Sequence, residues 1–152
     1  MKDKRELIDY LQDHRLMQIA TVKGEKPWIC NVFYTVDNKL NLFFISKPTR
    51  RHCLEISKNK NVACAITDSH QKVTDKKKGL QIEGIASLLK NEKEIKFALD
   101  LWNKTNPGFE KIINLENFKK RKMEDKVYKI IPTEIKVFNE EMKGTTKVVR
   151  IR

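Results

Sequence analysis

The spacing of apolar residues changes several times along the chain, and each change predicts an element. Over residues 2–13, Leu7, Ile8 and Leu11 share one side, which predicts a short amphipathic helix. Residues 16–22 are rich in β-formers, and Lys23-Gly24-Glu25-Lys26-Pro27 predicts a turn. A second strand over 28–36 is apolar on both faces, and Asp37-Asn38-Lys39 turns it into a third strand, 40–45. A short helix follows at 50–58, then a buried strand over 62–67. The polar loop 68–78 leads to a long alternating strand, 80–89, whose interior Gly84 predicts a bulge or a close backbone approach. Residues 92–104 place Ile95, Ala98, Leu99 and Trp102 at helical spacing and stop at Asn106-Pro107-Gly108. A less regular segment, 109–123, precedes two β-runs, 127–131 and 134–138, around Pro132. A short strand over 147–151 ends the series.

The connections between the first three strands are too short for crossovers, so the sheet is expected to be largely antiparallel. The economical architecture is a mainly β, α+β fold: a small closed or split barrel with helices over its ends. No linker or repeat divides the chain, which predicts one domain over residues 1–142 and a basic tail over 143–152.

Where the third strand meets the following helix, chemistry concentrates. Ser46 ends the strand, and Thr49, Arg50, Arg51 and His52 open the helix. A helix N-terminus gathers unpaired N–H groups and the positive end of the helix dipole, so this turn could hold a phosphate. A solvated basic turn is the plain alternative. The formal net charge of +12 favours anionic partners in general, although much of it is lysine dispersed along the chain.

Other chemistries lack their signatures. There is no Gly-rich dinucleotide fingerprint, no P-loop and no H-E-x-x-H. His14, His52 and His70 are scattered, and no metal site is expected. His52-Cys53 could form a nucleophilic pair only if adjacent helical residues faced one another, which they do not. Cys30, Cys53 and Cys64 are odd in number and widely spaced, which suits a reducing compartment. The charged start carries no apolar leader and the longest apolar run, 62–66, is far too short to span a bilayer, so a cytoplasmic location is expected. Nucleic-acid binding is the strongest rival from charge alone, but aromatic and basic residues are not interleaved.

The strand–turn–strand–basic helix unit resembles the flavin-binding split-barrel superfamily that includes pyridoxamine 5′-phosphate oxidase. The residues carrying the resemblance are Phe44-Ile45-Ser46, Arg50-Arg51-His52, Ile56, the 59–61 break, the 62–66 strand and Gln81-Ile82-Glu83-Gly84-Ile85-Ala86. The similarity extends to a bacterial subgroup of short chains through Trp28, Asn31, Phe33-Tyr34 and Arg51-His52. The resemblance implies FMN as cofactor, its phosphate held at Ser46, Thr49, Arg50, Arg51 and His52. It implies that the ring lies along Cys30, Asn31, Val32 and Phe33. It further implies a homodimer with the cofactor at the subunit interface, where Trp102 or segment 109–122 could cap the partner's site. Core packing is the plain alternative for Trp102.

Arg50 stands where the family has Ser, and His52 where it has Lys. No Arg opens the second strand, Gly79 occupies the place of a cofactor-contacting Gln, and the residues that recognise pyridoxal phosphate have no counterpart. The resemblance thus carries FMN binding and a small flavin-dependent oxidoreductase further than it carries pyridoxamine phosphate oxidation. The rivals are a haem- or deazaflavin-binding protein of the same fold, and a non-catalytic basic module for nucleic acid or another anion. No membrane partner is expected, and the catalytic residues stay open.

Overall fold

The computed structural model describes residues 4–141 and 146–150. Helix α1 (Lys4–Asp13) leads into strands β1 (Leu16–Lys23), β2 (Lys26–Val36) and β3 (Leu42–Ser46). Helix α2 (Arg51–Lys58) precedes β4 (Asn61–Thr67) and β5 (Lys78–Leu88). Then come α3 (Glu92–Thr105), the short α4 (Leu115–Lys119), β6 (Lys126–Asn139) and β7 (Thr146–Arg150). Every pairing is antiparallel, in the order β3-β2-β1-β4-β5-β6-β7, and β3 also pairs with β6 to close the ring. This is the expected α+β antiparallel split barrel.

β6 makes the split visible. One of its edges lies along β5 for most of its length. The other edge takes β3 over Lys126–Ile130 and β7 over Glu134–Phe138. Residues 131–133 fall between those two partners. Pro132, which can donate no backbone bond, is tolerated in this gap, where β6 also bulges against β5 at Glu83/Gly84. The two β-runs expected around Pro132 are therefore one bent strand. Pro27, expected in a turn, sits inside β2 instead, on the stretch whose outer edge carries no partner strand.

The barrel interior is filled by alternate residues such as Met17, Ile19, Tyr34, Leu42, Phe44, Ile66, Leu80, Ile82 and Ile130, all buried. Leu7 and Leu11 of α1, and Cys53 and Ile56 of α2, close this core. The Tyr34 hydroxyl donates to the Leu11 carbonyl at 2.6 Å and fixes α1 to β2. A second cluster lies outside the barrel, where Ile95, Ala98 and Leu99 of α3 pack with Phe43, Leu89, Met123 and Val127. At the end of β5 Leu88 is exposed, and the following Leu89 is buried in the cluster outside the barrel. Segment 109–123 contains α4, whose N-cap Asn114 accepts from the Asn117 N–H. β7 falls within the tail expected from residue 143 and matches its short strand; residues 142–145 and 151–152 lie outside the described residues. Among the described residues no helix is long and apolar enough to cross a membrane.

Gly84 is needed for closeness. A Cβ there would stand 2.8 Å from Ile130 Cγ2 and 2.9 Å from the Ile131 carbonyl oxygen, so the backbone of β6 would have to move. Gly84→Ala is expected to destabilise the fold by about 1–3 kcal/mol, the usual scale of overpacking. The urea-unfolding midpoint measures it, and an unchanged midpoint would contradict the close approach.

Candidate cofactor site

The β2–β3 ladder runs from Val36–Leu42 to Tyr34–Phe44 and stops there. β1 continues to pair with β2 down to Lys26, so residues 26–33 of β2 have, among the described residues, a partner strand on one side only. β3 turns away at Ser46 and becomes α2, and a cleft of about 520 Å³ opens between the diverging strands. Cys30, Asn31, Val32 and Phe33 form one wall, and Ser46, Arg50, Arg51 and His52 form another. The outer backbone edge of β2 and the N-terminus of α2 thus face one space.

Residue by residue, the helix start suits an anion. Arg50 is the N-cap, in extended conformation and without a side-chain capping bond. Its carbonyl accepts the first helical bond, from the Leu54 N–H at 3.0 Å. An Arg in place of Ser, Thr or Asp gives the first-turn N–H groups a cation where an acceptor would normally sit. Arg51 is held from two directions. Its Nε–H donates to Glu55 Oε1 at 2.8 Å, and its guanidinium lies 4.2 Å from the Trp28 ring centre. Glu55 is only 5% exposed, and Thr21 Oγ1–H donates to its other oxygen at 2.6 Å. Those bonds, from Thr21 first and Arg51 second, hold the Glu55 pKa below the usual carboxylate value. One donor fixes Arg51, leaving the outer edge of its planar fork to meet a ligand.

His52 occupies a different environment. Its ring is 8% exposed, shares a 2.8 Å hydrogen bond with the Ser46 hydroxyl through Nε2, and lies 6.1 Å from the Phe44 ring. Burial lowers its pKa below 6.5, the Arg50 charge lowers it further, and Glu55 partly opposes both. Phe44 in turn stacks on Tyr128 at 5.0 Å, so the floor beneath Ser46 is rigid and aromatic. Trp102, from α3, is 8% exposed and lines the same cleft. Its buried indole N–H has no acceptor among the described residues. A buried, unmatched donor on a cleft wall suits a ligand oxygen.

Of the nine residues expected to hold the cofactor, eight line this cleft. Thr49 does not: it lines an adjoining cleft, which shares Arg51 with the first. Trp102 lines the cleft of its own chain. Sequence reasoning missed three contributors. The Arg51–Glu55 pair has the i, i+4 spacing of a helical ion pair and was open to discovery. Thr21 and Trp28 reach Arg51 only through the β1–β2 pairing, in which they stand directly opposite one another.

No known family model matches the sequence, and no curated protein matches it either. Solved structures do match its fold. A candidate pyridoxamine 5′-phosphate oxidase from Listeria innocua is 20% identical, with a TM-score of 0.64 over 88% of this chain and 96% of that one. General stress protein 26 from Bacillus anthracis is 17% identical, with a TM-score of 0.69 over 99% of both chains. The haem storage protein HutZ from Vibrio cholerae is 15% identical, with a TM-score of 0.67 over 87% of this chain and 91% of that one. The chain therefore shares the antiparallel split-barrel fold of these solved structures.

The lowered His52 pKa has a sign that can be measured. Above pH 6.5 His52 is neutral in both folded and unfolded chains, and its contribution to stability is complete. As pH falls through that value the unfolded chain takes the proton first, and stability drains until the folded pKa is passed. His52→Gln should flatten the stability–pH curve below about pH 6.5 relative to the parent, read as urea midpoints across that range. Equal slopes in the two proteins would show that His52 does not titrate as the structure requires.

Proposed function

We propose that the chain binds FMN in this cleft, as a homodimer, and acts as a small flavin-dependent oxidoreductase. The observation that carries the reading is the junction itself, where the unpaired edge of β2 ends against the N-terminus of α2 with Arg51 already oriented there. The phosphate would be held by Arg50, Arg51 and the first-turn N–H groups, through charge-assisted and partly bidentate bonds. The Ser46 hydroxyl stands beside them on the cleft wall. The β2 edge at Cys30–Phe33 offers an apolar bed with backbone donors and acceptors, and Trp102 offers one more donor. A bound flavin supplies hydride and electron transfer. The chain's part is to seat the phosphate, orient the ring and exclude water.

Dimerisation is supported by what the single chain leaves uncovered. Phe33, on the cleft wall, and Ile29, on the same face of β2, are 53% and 61% exposed. A second copy over this face would remove that apolar surface from water and cover the cleft.

Structures of the same fold include a haem storage protein, so haem is the rival cofactor. Among the described residues lining the cleft there is one histidine, His52, and its Nε2 is already engaged by the Ser46 hydroxyl, so it would have to give up that bond to hold a haem iron. That arrangement favours flavin. Nucleic acid is disfavoured by the pairing of the basic cluster at 119–122, where Lys119 meets Glu92 and Lys120 meets Glu116.

The purified protein, or the protein given FMN, should show a flavin absorption spectrum and no Soret band. A colourless protein that leaves added FMN fluorescence unquenched would end the proposal. Arg51→Ala should weaken FMN binding by roughly several-fold to a hundredfold, the scale of one lost charge-assisted contact. Trp102→Phe keeps most of the ring and deletes only the orphan donor. It should lower FMN affinity by roughly several-fold without lowering the melting temperature of the flavin-free protein.

A further inference from the structure

Beside the phosphate position lies a second, larger cleft of about 700 Å³ between the β1–β2 hairpin and α2. Its walls include Val22, Lys23, Lys26, Arg51, Leu54 and Lys58. Arg51 belongs to both clefts, so a group bound at its guanidinium stands on their common boundary.

The charge of this cleft is costly to assemble. Lys23 and Lys26 are direct cross-strand neighbours at the end of the hairpin, a like-charge pairing that destabilises a sheet. Lys58, from the last turn of α2, adds a third ammonium to the same space. Among the described residues Lys26 and Lys58 have no ion pair or hydrogen-bonding side-chain partner. Lys23 has only the longer-range attraction of Glu55. Glu55 is the one carboxylate on this cleft, and both its oxygens are already engaged by Thr21 and Arg51. The apolar side is present too: Leu54 is 54% exposed although it lines a concave surface, with Val22 beside it. Three ammonium groups without a direct ion pair, over an aliphatic wall, suit a ligand that carries phosphate and a flat, weakly polar base.

We propose that this second cleft receives the adenylate half of a flavin dinucleotide, so that the chain prefers FAD to FMN. The inference rests on the flavin reading above. The ribityl phosphate sits at Arg51, the second phosphate passes among Lys23, Lys26 and Lys58, and the adenosine lies against Val22 and Leu54.

Calorimetric titration of the flavin-free protein with FMN, FAD and ADP tests it. FAD should bind at least roughly tenfold more tightly than FMN, the scale of one or two added charge-assisted contacts. Combining Lys23→Ala, Lys26→Ala and Lys58→Ala should bring FAD down to the affinity of FMN while leaving FMN binding unchanged and without lowering the melting temperature, since the like-charge pair is relieved. FAD binding no tighter than FMN would overturn the proposal, and so would an equal loss of both flavins in the triple variant. ADP binding to protein saturated with FMN would assign the cleft to a separate nucleotide and overturn it as well. Failure of both flavins to bind would instead remove the flavin reading on which it stands.

Discussion

The carboxylate of Glu55 is the point on which the candidate site depends. Placed in the interior between β1 and α2, it would be too costly to keep charged without partners, and the fold supplies two, one from each element. Thr21 belongs to the barrel wall and Arg51 to the first turn of the helix. The same carboxylate therefore ties α2 to the barrel, aided by Cys53 and Ile56 in the core, and fixes the direction of Arg51. Trp28, opposite Thr21 across the β1–β2 ladder, closes the arrangement by carrying the guanidinium on its face. An arginine held this way has lost its side-chain entropy before any anion arrives, which raises the affinity it can give.

A second constraint is a mismatch in strand length. β3 has five residues, whereas its neighbours β2 and β6 have eleven and fourteen. A strand that short cannot cover either neighbour's edge, so backbone groups are left open on both. On β6 the uncovered edge is taken over by β7 after the Pro132 gap. On β2 no strand follows among the described residues, and the open edge becomes the wall of the cleft. The split in the barrel and the site in the barrel are thus one topological event. The basic helix start lies against it because β3 runs directly into α2.

Much of this was legible in the chain. The hairpin, the antiparallel pairing, the limits of the three longer helices and the bulge or close approach at Gly84 follow from periodicity, turn residues and one glycine inside an alternating strand. Ser46, Arg50, Arg51 and His52 follow from a strand that ends in a basic helix start. The misses share a physical cause. Pro27 and Pro132 look like breaks, but a proline costs a strand nothing where its edge has no partner, and edge pairing is a tertiary fact. Thr49 is adjacent to the site in sequence, yet the turn directs it to the neighbouring cleft. Thr21 and Trp28 are thirty and twenty-three positions from Arg51, read from the numbering. Only strand register brings them to it. Trp102 has the spacing of a core residue, and it is buried; what the sequence could not show is the missing acceptor for its indole.

His52 shows how the electrostatics of such a cleft respond to a ligand. In the unliganded chain burial and the Arg50 charge both oppose its protonation, so the site's positive charge rests on the arginines and the helix end. Ser46 holds the neutral ring against the aromatic floor. An anion bound at Arg50 would cancel the charge that disfavours the imidazolium and add one that favours it, moving the His52 pKa upward. Linkage then requires that anion binding draw a proton onto the protein in the range where His52 titrates, and that affinity rise as pH falls through it. A lysine at this position would be charged throughout that range and give no such coupling. Histidine at this position therefore gives the cleft a contact that responds to pH, while Arg51, held by Glu55, supplies the charge that does not change.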